Sequence, residues 1–230
     1  MLTTLRNGLP QLGLTLSEDT MQTLCAFGEG VVKQNEVMNL TAITEPTAVA
    51  KLHLLDSLTL LTLADLRGKT VIDVGCGAGF PGVPVKIACP EAKVTLLDSL
   101  GKRMTWLEGF LPRLGVEAEC VTARAEEAVA SRREQYDFAT SRAVARLNIL
   151  LELTAPYVKI GGAVLAMKGA AAREELQEAR NAIHKLGLKV EKVQEFPVDG
   201  TAHTVIVLRK IAHTPPQYPR RYARIKQMPL

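Results

Sequence analysis

The segment Val71-Ile72-Asp73-Val74-Gly75-Cys76-Gly77-Ala78-Gly79-Phe80-Pro81-Gly82 constrains the fold more than any other stretch of this chain. An apolar run holding one acid passes directly into clustered glycines, and the stretch from Gly82 onward reads as a helix. Glycines at such a turn allow positive φ and let a ligand approach the backbone closely. In an open α/β sheet the ligand lies beyond the carboxyl end of that strand. A tight turn without a ligand is the bland alternative, and the strand–turn–helix context weighs against it.

Two ligand classes compete for the turn. Gly77, Gly79 and Gly82 match the G-x-G-x-x-G string of dinucleotide sites, which is weak evidence by itself. S-adenosylmethionine would use Gly75, Gly77 and Gly79 with an acid just before them. Asp73 favours the second class, because a carboxylate there repels a pyrophosphate and suits a ligand bearing ammonium and sulfonium charges. Pro81 and Pro84 also crowd the helix start where phosphate-binding amides are wanted. Asp98 lies 23 residues after Gly75, near the spacing of about 20 for an acid that holds a ribose diol. A helix cap is its alternative role, and Ser99 could serve as that cap.

From Lys69 onward short apolar strands alternate with helices. Strands are expected at 70–75, 93–98, 117–122, 136–140, 162–168, 188–195 and 203–209. Helices are expected at 82–89, 101–114, 125–131, 144–156 and 170–186. This grammar predicts a mostly parallel sheet covered on both faces. The last two strands are joined only by the turn Phe196-Pro197-Val198-Asp199-Gly200, so they read as a hairpin with an antiparallel strand at the sheet edge. Residues 1–66 read as a helical extension. Thr15 and Glu18 suggest a capping box, and a second helix should start near Pro46. His53 reads as a structural residue on an apolar helix, beside Asp56. The expected organisation is a helical extension at 1–66, an α/β domain carrying the glycine turn at 67–210 and a basic tail at 211–230.

The net charge of +4 is unevenly spread: residues 1–66 carry −4, residues 67–199 carry +2 and residues 200–230 carry +6. The last stretch holds Arg209, Lys210, Arg220, Arg221, Arg224 and Lys226, a composition that attracts polyanions or simply solubilises a terminus. Its four prolines argue against a helix. Cys25, Cys76, Cys89 and Cys120 are isolated, so no zinc cluster is expected and reduced thiols in a cytoplasmic chain fit best. No signal peptide or apolar run of the roughly 18 residues needed to span a bilayer is seen.

Several strings agree on a family. DVGCGAGFPGVPVKI, LLDSLGKRMTWL, SRAVARL and AMKG, with KQNEVMNLTAI and HLLDSL before them and YPRRYARIKQMPL at the end, resemble the bacterial 16S ribosomal RNA guanine-N7 methyltransferases, also called glucose-inhibited division protein B. The resemblance runs through nearly the whole chain. It implies a class I, Rossmann-like methyltransferase fold with strand order 3-2-1-4-5-7-6 and an antiparallel edge. It implies S-adenosylmethionine as cofactor, contacted at Gly75, Phe80, Ala125, Glu126 and Arg142, with Asp73, Gly77, Gly79, Asp98 and Ser99 at matching motif positions. The implied partner is 16S RNA of the small ribosomal subunit, with no membrane and no metal, and nothing demands more than a monomer.

The chemistry is consistent with N7. The Asn/Asp-Pro-Pro-Tyr loop of amino-group methyltransferases is missing, and Thr140-Ser141-Arg142-Ala143 stands in its place. Attack through pyrimidine C5 needs a thiolate, and Cys89-Pro90 ends a helix on the wrong side of the sheet. Guanine N7 has an in-plane lone pair and no proton to lose, so orientation suffices. Arg142 is the expected catalytic residue, placed between cofactor and base; a surface salt bridge to Glu126 or Asp137 is its plainer alternative. Lys102, Arg103, Arg146, Lys168, Arg220 and Arg221 are assigned to RNA phosphates, with a solvated face an equal alternative for Lys102 and Arg103. The rival functions are an NAD(P)-dependent oxidoreductase and a non-catalytic RNA-binding module.

Overall fold

The computed structural model describes residues 1–198 and 201–230. Seven strands form one sheet: β1 (Thr70–Val74), β2 (Lys93–Asp98), β3 (Glu119–Thr122), β4 (Tyr136–Arg142), β5 (Val158–Lys168), β6 (Leu188–Val198) and β7 (Thr201–Lys210), in the order β3-β2-β1-β4-β5-β7-β6. β1 to β5 pair in parallel. β7 runs antiparallel to both β5 and β6, so the hairpin supplies the antiparallel pairing and β6 lies outermost. The expected hairpin turn at Asp199 and Gly200 lies outside the described residues.

The central strands are apolar on both sides because both faces are covered. Ile72, Val74, Val164 and Ile206 pack against helix Leu147–Thr154 and the helical pair Ala172–Glu178 and Arg180–Lys185. On the opposite face, Val71, Leu96 and Leu165 join Val83 and Leu107 in a core that also takes Leu5, Leu24, Phe27, Leu54 and Leu58 from the extension. The extension therefore shares its core with the sheet.

Two local expectations are corrected and a third, the helix starting near Pro46, is borne out with an added feature. Helix Glu18–Met38 is capped by Ser17, whose hydroxyl accepts from the Thr20 amide, and not by Thr15. Glu18 instead pairs with Arg6 at 2.5 Å, tying this helix to a further helix, Leu2–Gly8. The proline-rich tail does hold a short helix, Tyr222–Gln227, fitted between Pro219 and Pro229 and anchored by the fully buried Ile225. Finally, the helix that starts at Pro46 contains a π-helical turn, Ala50–Leu55, before it continues through Asp56–Leu58. Such turns often accompany functional sites.

Candidate active site

The carboxyl ends of the parallel strands open on a cavity of about 1190 Å³. Its floor is the glycine turn. Gly75 has φ +73°, and a Cβ there would meet Val144 Cγ2 at 2.5 Å, so neither the conformation nor the space admits another residue.

Nearly every amide of the turn is already committed. Gly75 and Cys76 donate to the Leu97 carbonyl, and Gly79 and Phe80 donate to that of Cys76. Gly77 N–H donates to Asp98 Oδ2 at 2.9 Å and Gly82 N–H to Asp73 Oδ2 at 2.8 Å. A diphosphate would find those donors spent on carboxylates and carbonyls inside the protein. Asp73 itself lies beneath the turn, fully buried, and its Oδ1 has no hydrogen-bond partner among the described residues. Burial pushes its carboxyl up from 3.8 to about 7.

That shift carries a stability prediction. Between those two values the folded chain binds more protons than the unfolded one, so the contribution of Asp73 is present in full below pH 3.8 and is lost as pH rises to about 7. Asp73→Asn keeps an acceptor for Gly82 N–H and cannot ionise. Its stability relative to the parent should grow through that window, reaching about 2–4 kcal/mol at pH 8. Urea unfolding at pH 4 and pH 8 reads the difference; the same difference at both would remove Asp73 as its source.

Asp98 performs two tasks. Its oxygens accept from Gly77 N–H and, at 2.8 Å, from Leu100 N–H, and it also faces the cavity. A carboxylate has about four acceptor positions, so a diol can still be held. Ser99, Ala125 and Glu126 line the same side, with Leu97 and Leu100 as apolar wall. The Ala125 carbonyl is fixed by the Tyr157 hydroxyl at 2.6 Å.

Arg142 ends β4 inside the cavity, and its side chain is 16% exposed. Neither Glu126 nor Asp137 is its partner: Asp137 is engaged with Thr70 and Lys159. Its Nη1 donates to the Leu52 carbonyl at 2.9 Å and to Asp56 Oδ2 at 2.8 Å, and its Nη2 meets His53 Nδ1 at 3.1 Å. The guanidinium carbon sits 5.1 Å from the centroid of the Phe80 ring, which stacks on His53 at 4.6 Å. His53 Nδ1 also lies 3.2 Å from the Leu52 carbonyl, but that oxygen already accepts from Arg142 at 2.9 Å and a guanidinium only donates; Nδ1 is therefore read as the acceptor, with the proton on Nε2 facing Thr41 Oγ1 at 2.7 Å. Burial, reinforced by the Arg142 charge, lowers His53 to about 4, so the ring is neutral. The other Asp56 oxygen receives His203 Nδ1 at 2.8 Å. That hydrogen bond raises the pKa of His203.

The extension thus walls the cavity with Thr41, His53 and Asp56, and β7 adds His203; local sequence does not reveal this placement, while the structural reading of His53 fits its hydrogen-bonded, buried ring. One signal was available: His53 and Asp56 are three residues apart on one helix and so share a face. His203 comes to them only through the β5–β7 pairing, which no local pattern reveals.

The cations assigned to RNA divide. Lys102 and Arg221 are exposed, and Arg103 lines the cavity rim. Arg146 also lines it but pairs with Glu174 at 2.8 Å and Glu178 at 2.7 Å. Lys168 and Arg220 do not stand ready for phosphate. Lys168 is 7% exposed and pairs with Glu175 at 2.6 Å. Arg220 pairs with the fully buried Glu152 at 2.6 Å. Lys210, counted among the basic residues of the tail, is buried as well.

The comparisons with known proteins agree with this architecture. Residues 20–204 match the family model described as rRNA small subunit methyltransferase G. The chain is 42% identical over 232 residues to the ribosomal RNA small subunit methyltransferase G of Alkaliphilus metalliredigens, covering 98% of this chain and 97% of that protein. It is 41% identical to the protein of the same name from Halalkalibacterium halodurans, covering 100% and 99%. Among solved structures, a SAM-dependent methyltransferase from Aquifex aeolicus aligns with a TM-score of 0.52 at 20% identity, over 70% of this chain and 93% of that one; this likeness speaks to the fold. With the matched residues spanning both the wall contributed by the extension and the glycine turn, the chain belongs to the rRNA small subunit methyltransferase G family.

Proposed function

We propose that this protein transfers the methyl group of S-adenosylmethionine to N7 of a guanine in 16S ribosomal RNA, acting as a cytoplasmic monomer on the small subunit. The observation that carries the reading is the committed glycine turn. Its amides are held by Asp73, Asp98 and main-chain carbonyls, so the site suits a nucleoside without a diphosphate. The donor set fits the cofactor: Asp98 for the ribose diol and Leu97, Leu100 and Ala125 for the adenine. When bound, the cofactor supplies an electrophilic methyl on a cationic sulfur.

The chain's own task is to bind and orient. Asp56 is occupied at both oxygens, and His53 is neutral with its lone pair turned to Arg142. No proton needs removing from N7, so these groups can hold geometry instead of acting as a base. The Nε–H and the second Nη2–H of Arg142 have no protein acceptor among the described residues. They suit guanine O6, which directs the lone pair of N7. N7 becomes cationic on methylation, and the Asp56 charge beside Arg142 tempers the repulsion.

In A-form duplex RNA the groove carrying N7 is deep and narrow. The target is accordingly a guanine outside a regular helix. The test is incubation of the protein and cofactor with small subunits from a strain lacking the gene. Borohydride–aniline scission then maps N7-methylguanine. One new cleavage site in 16S RNA is expected, with RNA affinity falling steeply as salt rises. Methyl found on an exocyclic amine, or none incorporated, would overturn the assignment.

A further inference from the structure

We infer that Asp56 is a positioning residue of the methyl-transfer cavity, a buried carboxylate that holds the Arg142 guanidinium with one oxygen while His203 holds the other. The inference deepens the proposed function and rests on it for the identity of the ligand. Three elements converge here: the π-containing helix of the extension, the end of β4 and the start of β7. Arg142 lies 86 residues from Asp56 and His203 lies 147 residues from it, so the cluster exists only in the folded chain. The Asp56 side chain is 4% exposed, and both oxygens are spent within the protein, which keeps it from contacting substrate directly. It therefore acts through Arg142.

The geometry shows why a carboxylate is needed. Arg142 leans into the cavity against the Phe80 face with the Leu52 carbonyl and the His53 lone pair on the same side. Those two contacts are neutral. Among the described residues, Asp56 is the anion placed on the guanidinium. Without it, the guanidinium facing a cavity that must admit a sulfonium would lose its contacting counter-charge, and repulsion between like charges is strong at low dielectric. The carboxylate thus serves orientation and charge balance together, and the second role gives a readout that a purely structural residue would not move.

That readout is the contrast between S-adenosylmethionine, whose sulfur is cationic, and S-adenosylhomocysteine, whose sulfur is neutral. In Asp56→Asn the dissociation constant for S-adenosylmethionine, measured by calorimetry, should rise about tenfold more than that for S-adenosylhomocysteine, as expected for one uncompensated charge in a partly buried site. In an Arg142→Met background the same substitution should leave the contrast within about twofold, because residues acting as a unit are not additive. An equal loss for both ligands, or an undiminished contrast without Arg142, would overturn the inference. If Asp56→Asn does not fold, Asp56→Glu keeps the charge beside Arg142 and should leave the contrast between the two ligands within about twofold of the parent; a tenfold asymmetry with the charge retained would equally overturn it. These binding measurements do not depend on RNA. A wild-type protein that binds both ligands and fails to methylate small subunits defeats the proposed reaction and leaves the role of Asp56 testable.

Discussion

Arg142→Ala should lower kcat/KM for small-subunit methylation by about 10²–10³, the usual loss when one preorganised donor is removed from a site of charge development. The guanidinium meets Asp56, the Leu52 carbonyl, His53 and the Phe80 ring at once, so a single truncation releases four contacts. Arg142→Lys should recover little. An ammonium is a compact point charge and cannot spread over the Phe80 face while bonding on two edges. The alanine variant should also melt earlier, because among the described residues Asp56 then stays buried with only His203 on its carboxylate. Initial rates against cofactor and subunit concentration, with a melting curve, separate the two effects. Unchanged turnover together with unchanged cofactor affinity would remove Arg142 from the mechanism.

The sequence exposed those parts of the site that sit on local patterns. Asp73 and the glycines up to Gly79 are contiguous, and Asp98 follows at the spacing of the next strand, so strand, turn and second strand could be read together. Arg142 was legible through a motif at the end of β4. The wall contributed by the extension was not. His53 reads as structural because its neighbours are apolar, and its place on the cavity wall follows from the stacking on Phe80 and the bond to Arg142. Both depend on how two distant segments pack. Charge misled for a related reason. Composition counts Lys210 and Arg220 as basic surface, whereas each is held by a carboxylate from elsewhere in the chain: Glu134 and Glu152. Partners in a folded chain decide whether a cation is available, and pairing across that distance leaves no mark in local sequence.

Arg220→Ala should destabilise the protein by about 3–5 kcal/mol, the cost of stranding a buried carboxylate. Glu152 is fully buried and is grasped by Arg220 through the backbone amide at 2.8 Å, Nε at 2.8 Å and Nη2 at 2.6 Å. Around this pair the tail is tied down further. Arg133 donates to the Thr214 and Tyr218 carbonyls, Thr214 contacts Lys210, and Tyr222 reaches the cavity wall. The melting temperature should fall by about 6–20 °C, given roughly 2–4 °C per kcal/mol at this size. Pairing Arg220→Met with Glu152→Leu should restore most of the loss, since an apolar pair of similar volume carries no stranded charge. The adjacent Arg221 is exposed, so Arg221→Ala should change stability by less than about 0.5 kcal/mol. It should instead weaken RNA binding and reduce the slope of log affinity against log salt by about 1. Thermal melts and salt titrations of the two variants thus assign neighbouring arginines to different tasks. If Arg220→Ala melts with the parent, the tail is not held by Glu152; if Arg221→Ala leaves the salt slope unchanged, it touches no phosphate.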